Sequence, residues 1–356
     1  MKNLQTYLSN TVINIKPYQW SDIPDGEVLR FDTNTLPYYP PSVTKFTKEI
    51  SKNCPINEYA DPNYKRLKTL ISEYENVEKD MITVTNSGDE AIDILAKTFI
   101  NPGELFITTP PTYEMFEIQC MINKAKSLEV PLIKNCWDIQ VNEIIKQSNN
   151  NKVKIIFLVN PNNPTGSIIP RETIIKILSK TSSIVVVDEV YREFYGVSAV
   201  QLLMNFDNLI ILRSFSKFAA MAGARIGYLI ASKYFSEKFD VIRFPMGVSY
   251  LSYKLAEIVL EKDKNWINNQ VEMIITERKR LADELMKLGF FVYPSRANFL
   301  LVNMVDRADE ICRLLKEKGI IVRNRNKKRF LSGCVRITVR SPKENTILLR
   351  KIREII

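Results

Sequence analysis

Histidine is absent from this chain of 356 residues. Its absence excludes Ser-His-Asp and Cys-His nucleophile systems, His-ligated metal sites and every general base built on an imidazole. Any proton transfer near neutral pH must therefore use Lys, Cys, Tyr, Asp or Glu. Cysteine is also scarce: the five thiols lie far apart and no CxxC motif occurs, which disfavours a disulfide framework and a zinc ribbon. We expect no metal site.

Long apolar runs are missing as well. No stretch approaches the roughly 18 residues needed to cross a bilayer, and the first ten residues, MKNLQTYLSN, lack the cationic and apolar segments of a secretory signal. These absences predict a cytoplasmic protein with no membrane partner. With 45% hydrophobic and 25% charged residues, the chain has the composition of a globular protein of about two domains.

The net charge of +10 is concentrated near the C-terminus. Residues 313–356 hold 14 basic and 3 acidic side chains, so this segment accounts for the whole excess. Such a segment is typical of a solvated basic face, of a site for nucleic acid or acidic lipid, or of a site for a small phosphorylated or carboxylated substrate. The charge alone leaves these alternatives open.

Short apolar runs alternate with helical patterns from residue 81 onward. This alternation predicts a mostly parallel sheet covered by helices on both faces. The predicted strands are 81–85, 105–109, 154–160, 184–188, 209–213 and 225–231, and the helices between them are 88–100, 113–124 and 170–180. Beyond residue 245, a helical stretch at 248–288, strands at 291–293, 298–304 and 335–339, and helices at 307–318 and 343–355 predict a smaller α+β unit.

These patterns predict the domain organisation of an α/β protein. Prolines make residues 1–45 irregular, so the chain is expected to begin with an N-terminal arm at 1–30. A large three-layer α/β/α domain with a mostly parallel sheet is expected at 31–244. A small α+β domain is expected at 245–356.

Polar residues follow several of the predicted strands, where ligands of open α/β sheets bind. The segment Ser87-Gly88-Asp89 is expected to begin a helix, and the exposed N–H groups of its first turn can hold a phosphate. The same residues also suit an ordinary helix N-cap. If the sheet is parallel, this segment and the residues after the other strands meet at one edge.

Asp188 and Lys217 are the candidate reactive groups. Asp188 ends a very apolar strand and is either a surface carboxylate or a buried counter-ion for a cation such as a protonated pyridine, with Tyr191 three residues away. Lys217 lies among hydroxyls, apolar residues and Arg225, a setting that lowers a lysine pKa towards the range of a Schiff-base lysine. A lone lysine without these neighbours is an ordinary surface residue.

Three motifs together resemble the signature of the fold-type I, class I and II pyridoxal-phosphate aminotransferases. They are NPNNPTG at 160–166, DEVY at 188–191, and SFSK at 214–217 with Arg225 following Lys217 by eight residues. Each motif alone is weak, whereas their joint order and spacing match that signature over residues 80–235.

A closer resemblance, to the histidinol-phosphate aminotransferases, extends over nearly the whole chain. The segments that carry it include FDTNTLPY at 31–38, PPTYEMF at 110–116, AGARIGY at 222–228, GIIVRNR at 319–325 and VRITVRSPKEN at 335–345. The chain departs from that family where N-T-L-P replaces the usual N-E-N-P and where Arg340 replaces the usual Gly. These departures concern the expected substrate more than the expected chemistry.

The resemblance implies a role for each matching residue around the cofactor pyridoxal 5'-phosphate. Lys217 is expected to bind its aldehyde covalently and then to act as the base that moves the substrate proton. Asp188 is expected to pair with the pyridine N–H, which keeps the ring an electron sink. Tyr191 and Asn163 are expected to hydrogen-bond the ring oxygen, and Tyr113 to stack on the ring.

Further residues are implied for the phosphate of the cofactor and for the substrates. The expected phosphate ligands are Gly88, Asp89, Ser214, Ser216 and Arg225, together with Tyr59 of a neighbouring subunit, which implies a homodimer. Arg336 is expected to bind the α-carboxylate of glutamate, a bidentate contact that suits a guanidinium. Arg323 and Tyr18 are expected to meet the phosphate of histidinol phosphate.

The implied reaction exchanges the amino group of histidinol phosphate with 2-oxoglutarate, giving imidazole-acetol phosphate and glutamate in histidine biosynthesis. An aromatic or broad-range aminotransferase, or a threonine-phosphate decarboxylase, is the alternative with the same cofactor, although GIIVRNR and RITV favour the first function. A nucleic-acid-binding protein that uses the basic C-terminal segment lacks a recognisable motif and leaves Asp188 and Lys217 unexplained. We therefore expect no nucleic-acid partner.

Overall fold

The structure is a computed structural model that describes residues 9, 11, 13, 15, 21, 23–24, 26–50, 56–59 and 61–356. Within them the strands are β1 (Leu29–Phe31), β2 (Ile82–Thr85), β3 (Leu105–Thr108), β4 (Lys126–Glu129), β5 (Ile155–Val159), β6 (Ile184–Asp188), β7 (Leu209–Ser214), β8 (Gly227–Ile230), β9 (Phe291–Val292), β10 (Phe299–Asn303), β11 (Ile320–Asn324) and β12 (Cys334–Thr338).

The helices of the same part of the chain alternate with these strands. They are α1 (Ser42–Ile50), α2 (Lys65–Glu75), α3 (Ser87–Phe99), α4 (Met115–Ile122), α5 (Val141–Asn151), α6 (Arg171–Lys180), α7 (Lys233–Ile242), α8 (Tyr250–Lys262), α9 (Lys264–Lys287), α10 (Ala308–Glu317) and α11 (Pro342–Arg353). Among the helices in the described ranges, none has the length and hydrophobicity that a bilayer crossing requires.

The larger sheet has the strand order β2-β8-β7-β6-β5-β3-β4. Its pairs from β4 across to β7 are parallel, whereas β8 is antiparallel to both of its neighbours. The apolar runs that predicted buried strands form the central strands of this sheet. The predicted mostly parallel sheet is therefore confirmed.

Helices cover both faces of the larger sheet, as predicted. Successive side chains of a strand point to opposite faces. Val185 and Val187 of β6 belong to a buried cluster that includes residues of α2, α5 and α6, whereas Val186 belongs to a second cluster with residues of α3, α4 and α7. The sheet lies between these two helical layers, which confirms the three-layer α/β/α architecture.

The smaller sheet has the strand order β1-β11-β12-β10-β9. Strand β1 pairs in parallel with β11, and the other pairs are antiparallel. Helices α9, α10 and α11 share buried residues with β10, β11 and β12 in the first hydrophobic cluster. This second unit has the α+β character that was predicted, while the proposed domain boundaries remain predictions.

Several elements differ from the sequence prediction. Strand β1 and the start of α1 fall within residues 1–45, which were expected to be irregular, and β4 and β11 were not predicted. Strand β1 has only three residues and pairs with a strand 291 positions later in the chain, where Leu29 is aligned with Ile320. The helix expected at 248–288 is two helices that meet at Asp263, whose carboxylate accepts hydrogen bonds from Ser42.

A buried ionic network joins α2 to β7 and β8. Glu75 accepts hydrogen bonds from Arg213 Nε at 3.0 Å, from Arg192 Nη2 at 2.8 Å and from Tyr228 Oη at 2.5 Å. Burial opposes its ionisation, but the two guanidinium groups hold the pKa of Glu75 below its ordinary value. Arg213 also donates to the carbonyl oxygen of Glu189, the residue after Asp188, at 2.5 Å. The network therefore anchors the ends of two strands that carry candidate site residues.

We expect Glu75→Gln to lower the free energy of unfolding by up to about 3–5 kcal/mol, because it leaves the buried Arg213 and the half-buried Arg192 with Glu193 as their remaining carboxylate. The matched control is Glu317→Gln, which breaks an ion pair with Arg313 whose side chains are more than half exposed and is expected to cost less than about 1 kcal/mol. Urea unfolding of both variants measures the difference. Equal losses would contradict a stabilising role for the buried network.

Candidate active site

The carboxyl ends of neighbouring strands bring the predicted residues to one edge of the larger sheet. Asp188 at the end of β6 is aligned with Leu212 of β7, and Ser214 at the end of β7 is aligned with Gly227 of β8. Gly227 is aligned in turn with Thr85, the last residue of β2. The segments that begin at Ser87, Asp188 and Ser214 therefore lie side by side, as the sequence predicted.

Lys217 lies half-buried just beyond β7, and its Nζ donates a hydrogen bond to the carbonyl oxygen of Thr33 at 2.9 Å. Burial lowers the pKa of Lys217 to about 7, and the positive charges of Arg336 and Arg225 act in the same direction, against the attraction of Asp89. A substantial fraction of this amine is therefore neutral near pH 7, which is the form that attacks a carbonyl carbon.

Asp188 is 5% exposed at the end of β6. Its Oδ1 accepts a hydrogen bond from the backbone N–H of Val190 at 2.9 Å. Burial raises the pKa of Asp188 to about 7, although that hydrogen bond and the more distant Arg213 oppose the change. A carboxylate in this setting is stabilised by a cation that lies against it, and the described residues place Asp188 in no salt bridge.

The turn before α3 and the guanidinium of Arg225 form a candidate phosphate site. Helix α3 begins at Ser87, so the N–H groups of its first turn point towards the sheet edge. Arg225 Nη2 donates to Ser87 Oγ at 2.8 Å and to Asp89 Oδ2 at 2.6 Å. Nearby, the hydroxyl of Ser214 donates to that of Ser216 at 2.9 Å. The structure thus brings together five of the residues predicted to bind phosphate, Gly88, Asp89, Ser214, Ser216 and Arg225.

Gly227 and Gly88 allow β8 and β7 to pack closely against the turn before α3. A Cβ at position 227 would lie 2.6 Å from the carbonyl carbon of Ser87, so β8 can touch the turn only because residue 227 has no side chain. A Cβ at Gly88 would lie 3.3 Å from a methyl carbon of Leu212, which is tighter than ordinary packing. The absence of these two side chains therefore lets β7 and β8 pack directly against the turn.

Tyr113, Asn163 and Tyr191 surround the same edge. Tyr113 donates its hydroxyl hydrogen to Asp89 Oδ1 at 2.9 Å and packs edge-to-face against Phe116. The side-chain oxygen of Asn163 accepts a hydrogen bond from Arg336 Nη1 at 2.8 Å. Tyr191 is 5% exposed, and its hydroxyl accepts a hydrogen bond from Asn34 at 2.9 Å.

Arg323 and Arg336 stand directly opposite each other on β11 and β12. Directly opposed residues of neighbouring strands project on the same face, and like charges in that arrangement repel. Arg336 is buried and also donates to the carbonyl oxygen of Asp32, while Arg323 is half-buried and donates from Nη1 to Ser21 Oγ at 3.1 Å. An anionic ligand between or beside two such cations would offset their repulsion.

Tyr59 and Tyr18 were also predicted to contact ligands, Tyr59 at the phosphate of a neighbouring subunit's cofactor and Tyr18 at the phosphate of the substrate. Tyr59 is 87% exposed and makes no hydrogen bond to another described residue. Tyr18 lies outside the described residues.

Sequence reasoning missed the contribution of residues 32–34. The carbonyl oxygens of Asp32 and Thr33 accept hydrogen bonds from Arg336 and Lys217, and the side chain of Asn34 donates to Tyr191. In the sequence this segment shows only a family resemblance, because backbone carbonyl contacts leave no signal in the type of residue.

Comparison with known proteins agrees with this geometry. The chain matches the family model described as aminotransferase class I and II over residues 26–352. Two proteins named histidinol-phosphate aminotransferase, from Thermoanaerobacter pseudethanolicus and Parabacteroides distasonis, are each 36% identical to the chain, and each alignment covers 99% of both sequences.

Solved structures are similar as well. The histidinol-phosphate aminotransferase from Clostridium acetobutylicum is 29% identical with a TM-score of 0.84, covering 92% of this chain and 98% of that one. The histidinol-phosphate aminotransferase from Sinorhizobium meliloti, solved in complex with pyridoxal-5'-phosphate, is 22% identical with a TM-score of 0.88 and 98% coverage of both chains, a likeness of fold. Because the family model and the full-length relatives agree, the chain belongs to the class I and II aminotransferases and, within them, to the histidinol-phosphate aminotransferase family.

Proposed function

We propose that this protein is a pyridoxal-phosphate-dependent aminotransferase that exchanges the amino group of histidinol phosphate with 2-oxoglutarate, giving imidazole-acetol phosphate and glutamate. The observation that carries this proposal is the half-buried lysine of lowered pKa beside an anion site, at the strand edge that also holds a buried carboxylate. The full-length relatives named histidinol-phosphate aminotransferase support the substrate and a place in histidine biosynthesis.

The residues present fit pyridoxal 5'-phosphate. The cost of burying Asp188 as an anion is offset when a protonated ring nitrogen pairs with it, as the resemblance implies. The first turn of α3, Ser214, Ser216 and Arg225 would hold the phosphate, and Tyr59 of a second subunit would complete that site. The neutral form of the Lys217 amine suits attachment to an aldehyde.

Bound pyridoxal phosphate supplies an aldehyde that takes up an amino group and a ring that withdraws electrons from the substrate Cα–H bond. Lys217 then serves as the general base, since its Nζ takes the proton from the substrate Cα at a pH near its own pKa. Asp188 would pair with the ring nitrogen and keep it protonated, Tyr191 and Asn163 would hydrogen-bond the ring oxygen, and Tyr113 would pack against the ring. No step needs an imidazole.

Arg336 and Arg323 are proposed to bind the anionic groups of two substrates that differ in shape. Arg336 is proposed to bind the α-carboxylate of glutamate, because its guanidinium is buried and held by Asn163 and the Asp32 carbonyl. Arg323 is proposed to bind the phosphate of histidinol phosphate, together with Tyr18. Their direct opposition across β11 and β12 supports this assignment, since either anion reduces the repulsion between the two charges.

We further propose that the enzyme is a homodimer with shared sites. The exposure of Tyr59, a large aromatic side chain that is 87% accessible in the single chain, supports its proposed contact with a second subunit. A cytoplasmic location also remains a proposal.

The pKa of Lys217 predicts how cofactor attachment depends on pH. Only the neutral amine reacts, so the rate of attachment should rise with pH up to about 7 and then level off, as measured by borohydride trapping and mass spectrometry. Arg336→Met removes a positive charge that lowers this pKa, so the midpoint should move to higher pH. Lys217→Ala should trap no cofactor at this position. A midpoint near the ordinary lysine value of 10.5, or one that Arg336→Met leaves in place, would contradict the assignment.

Arg323→Ala is predicted to discriminate between the two substrates. The loss of charge-assisted hydrogen bonds, about 1.5–3 kcal/mol, should raise KM for histidinol phosphate by roughly 10- to 150-fold, while KM for glutamate changes far less. Arg313→Ala, at an exposed arginine of α10, is the control and should change neither value. Steady-state kinetics of both half-reactions measure the effect. An equal rise in KM for the two substrates would contradict the proposed role of Arg323. Release of carbon dioxide from threonine phosphate would instead favour the decarboxylase alternative.

A further inference from the structure

Asn34 is a buried polar residue for which the sequence motifs predicted no role in the active site. It is 1% exposed and has a left-handed backbone conformation with φ of 54°, which asparagine adopts more readily than most residues. Its backbone N–H donates to Thr338 Oγ1 and its carbonyl oxygen accepts from Asn298 Nδ2, each at 2.9 Å. The smaller sheet thus fixes the backbone of Asn34 next to the candidate active site.

Thr338 also determines which way the side-chain amide of Asn34 points. The Thr338 oxygen already accepts the backbone N–H of Asn34, and its single hydrogen is donated to Asn34 Oδ1 at 3.2 Å. The amide nitrogen is thereby directed to the other side, where Nδ2 donates to Tyr191 Oη at 2.9 Å. A flipped amide would deprive the Thr338 hydrogen of this acceptor, so the network favours one orientation.

This orientation sets the role of the Tyr191 hydroxyl. The ring of Tyr191 is held edge-to-face against Phe299, with centroids 5.2 Å apart and an interplanar angle of 85°. Because its oxygen accepts from Asn34 in a fixed direction, its own hydrogen must point elsewhere. Asn34 therefore makes Tyr191 a hydrogen-bond donor towards its other neighbours.

We propose that Asn34 is a positioning residue that orients the Tyr191 hydroxyl as a donor to the ring oxygen of the bound cofactor. This inference rests on the proposed function, because it needs pyridoxal phosphate at this site. A donor at the ring oxygen stabilises negative charge there. When that donor is lost, the oxygen attracts the proton on the neighbouring nitrogen more strongly, so the nitrogen that joins Lys217 to the cofactor gives up its proton at higher pH.

The test uses two substitutions that tolerate the left-handed conformation. Asn34→Asp reverses the hydrogen bond, since a carboxylate accepts the Tyr191 hydrogen and turns it away from the cofactor. Asn34→Gly removes the amide without adding charge. Each is made in the native chain and in a Tyr191→Phe background, and the readout is the pH midpoint of the visible absorption change of the resting, cofactor-bound enzyme.

We expect Asn34→Asp to raise the midpoint by about one pH unit, a tenfold change in proton affinity, and Asn34→Gly to raise it by less. In the Tyr191→Phe background, Asn34→Gly should have no further effect, and Asn34→Asp should keep only the effect of its charge. The charged groups that face Lys217, namely Arg336, Arg225 and Asp89, are unchanged in every variant.

The possible failures are distinguishable. If the native chain binds no cofactor, the proposed function itself is wrong. If the native chain binds cofactor but Asn34→Gly leaves the midpoint unchanged, or shifts it equally with and without the Tyr191 hydroxyl, the positioning role is wrong. Loss of folding in Asn34→Asp, seen by circular dichroism, leaves Asn34→Gly as the deciding variant.

Discussion

Burial of two ionisable groups at one sheet edge is the constraint on which the site depends. The protein holds the Lys217 amine and the Asp188 carboxylate where water cannot fully solvate their charges, so both have pKa values of about 7. That environment is costly for an isolated protein chain and favourable for a ligand that brings an aldehyde and a cationic ring. The fold provides this environment by placing polar residues at the ends of buried, apolar strands.

The parts of the fold that were predictable are those with a strong local signal. Strands β5, β6 and β7 are five or six residues long, mostly apolar and buried except at the first residue of β6, and such runs identify central strands of a parallel sheet. Strand β1 has three residues and β4 begins with an exposed lysine, so neither shows a pattern. The positions of β1 and β4 depend on pairing with other strands, and the local sequence carries no signal of that pairing.

The site divides in the same way. Asp188 and Lys217 were predictable because a charged residue at the end of an apolar strand, or amid hydroxyls and apolar residues, is informative by its type. Asn34 was not, since its role depends on a left-handed backbone conformation and on contacts with Thr338 and Tyr191, which are distant in sequence. The carbonyl contacts of residues 32 and 33 are independent of side-chain type and were equally invisible.

The pairing of β1 with β11 has a mechanical consequence. Residues 32–34 leave β1 directly and touch Arg336, Lys217 and Tyr191 in turn, while the neighbouring strand β11 carries Arg323. The strands that carry Arg323 and Arg336 and the short peptide that contacts Lys217 and Tyr191 are therefore parts of one hydrogen-bonded sheet.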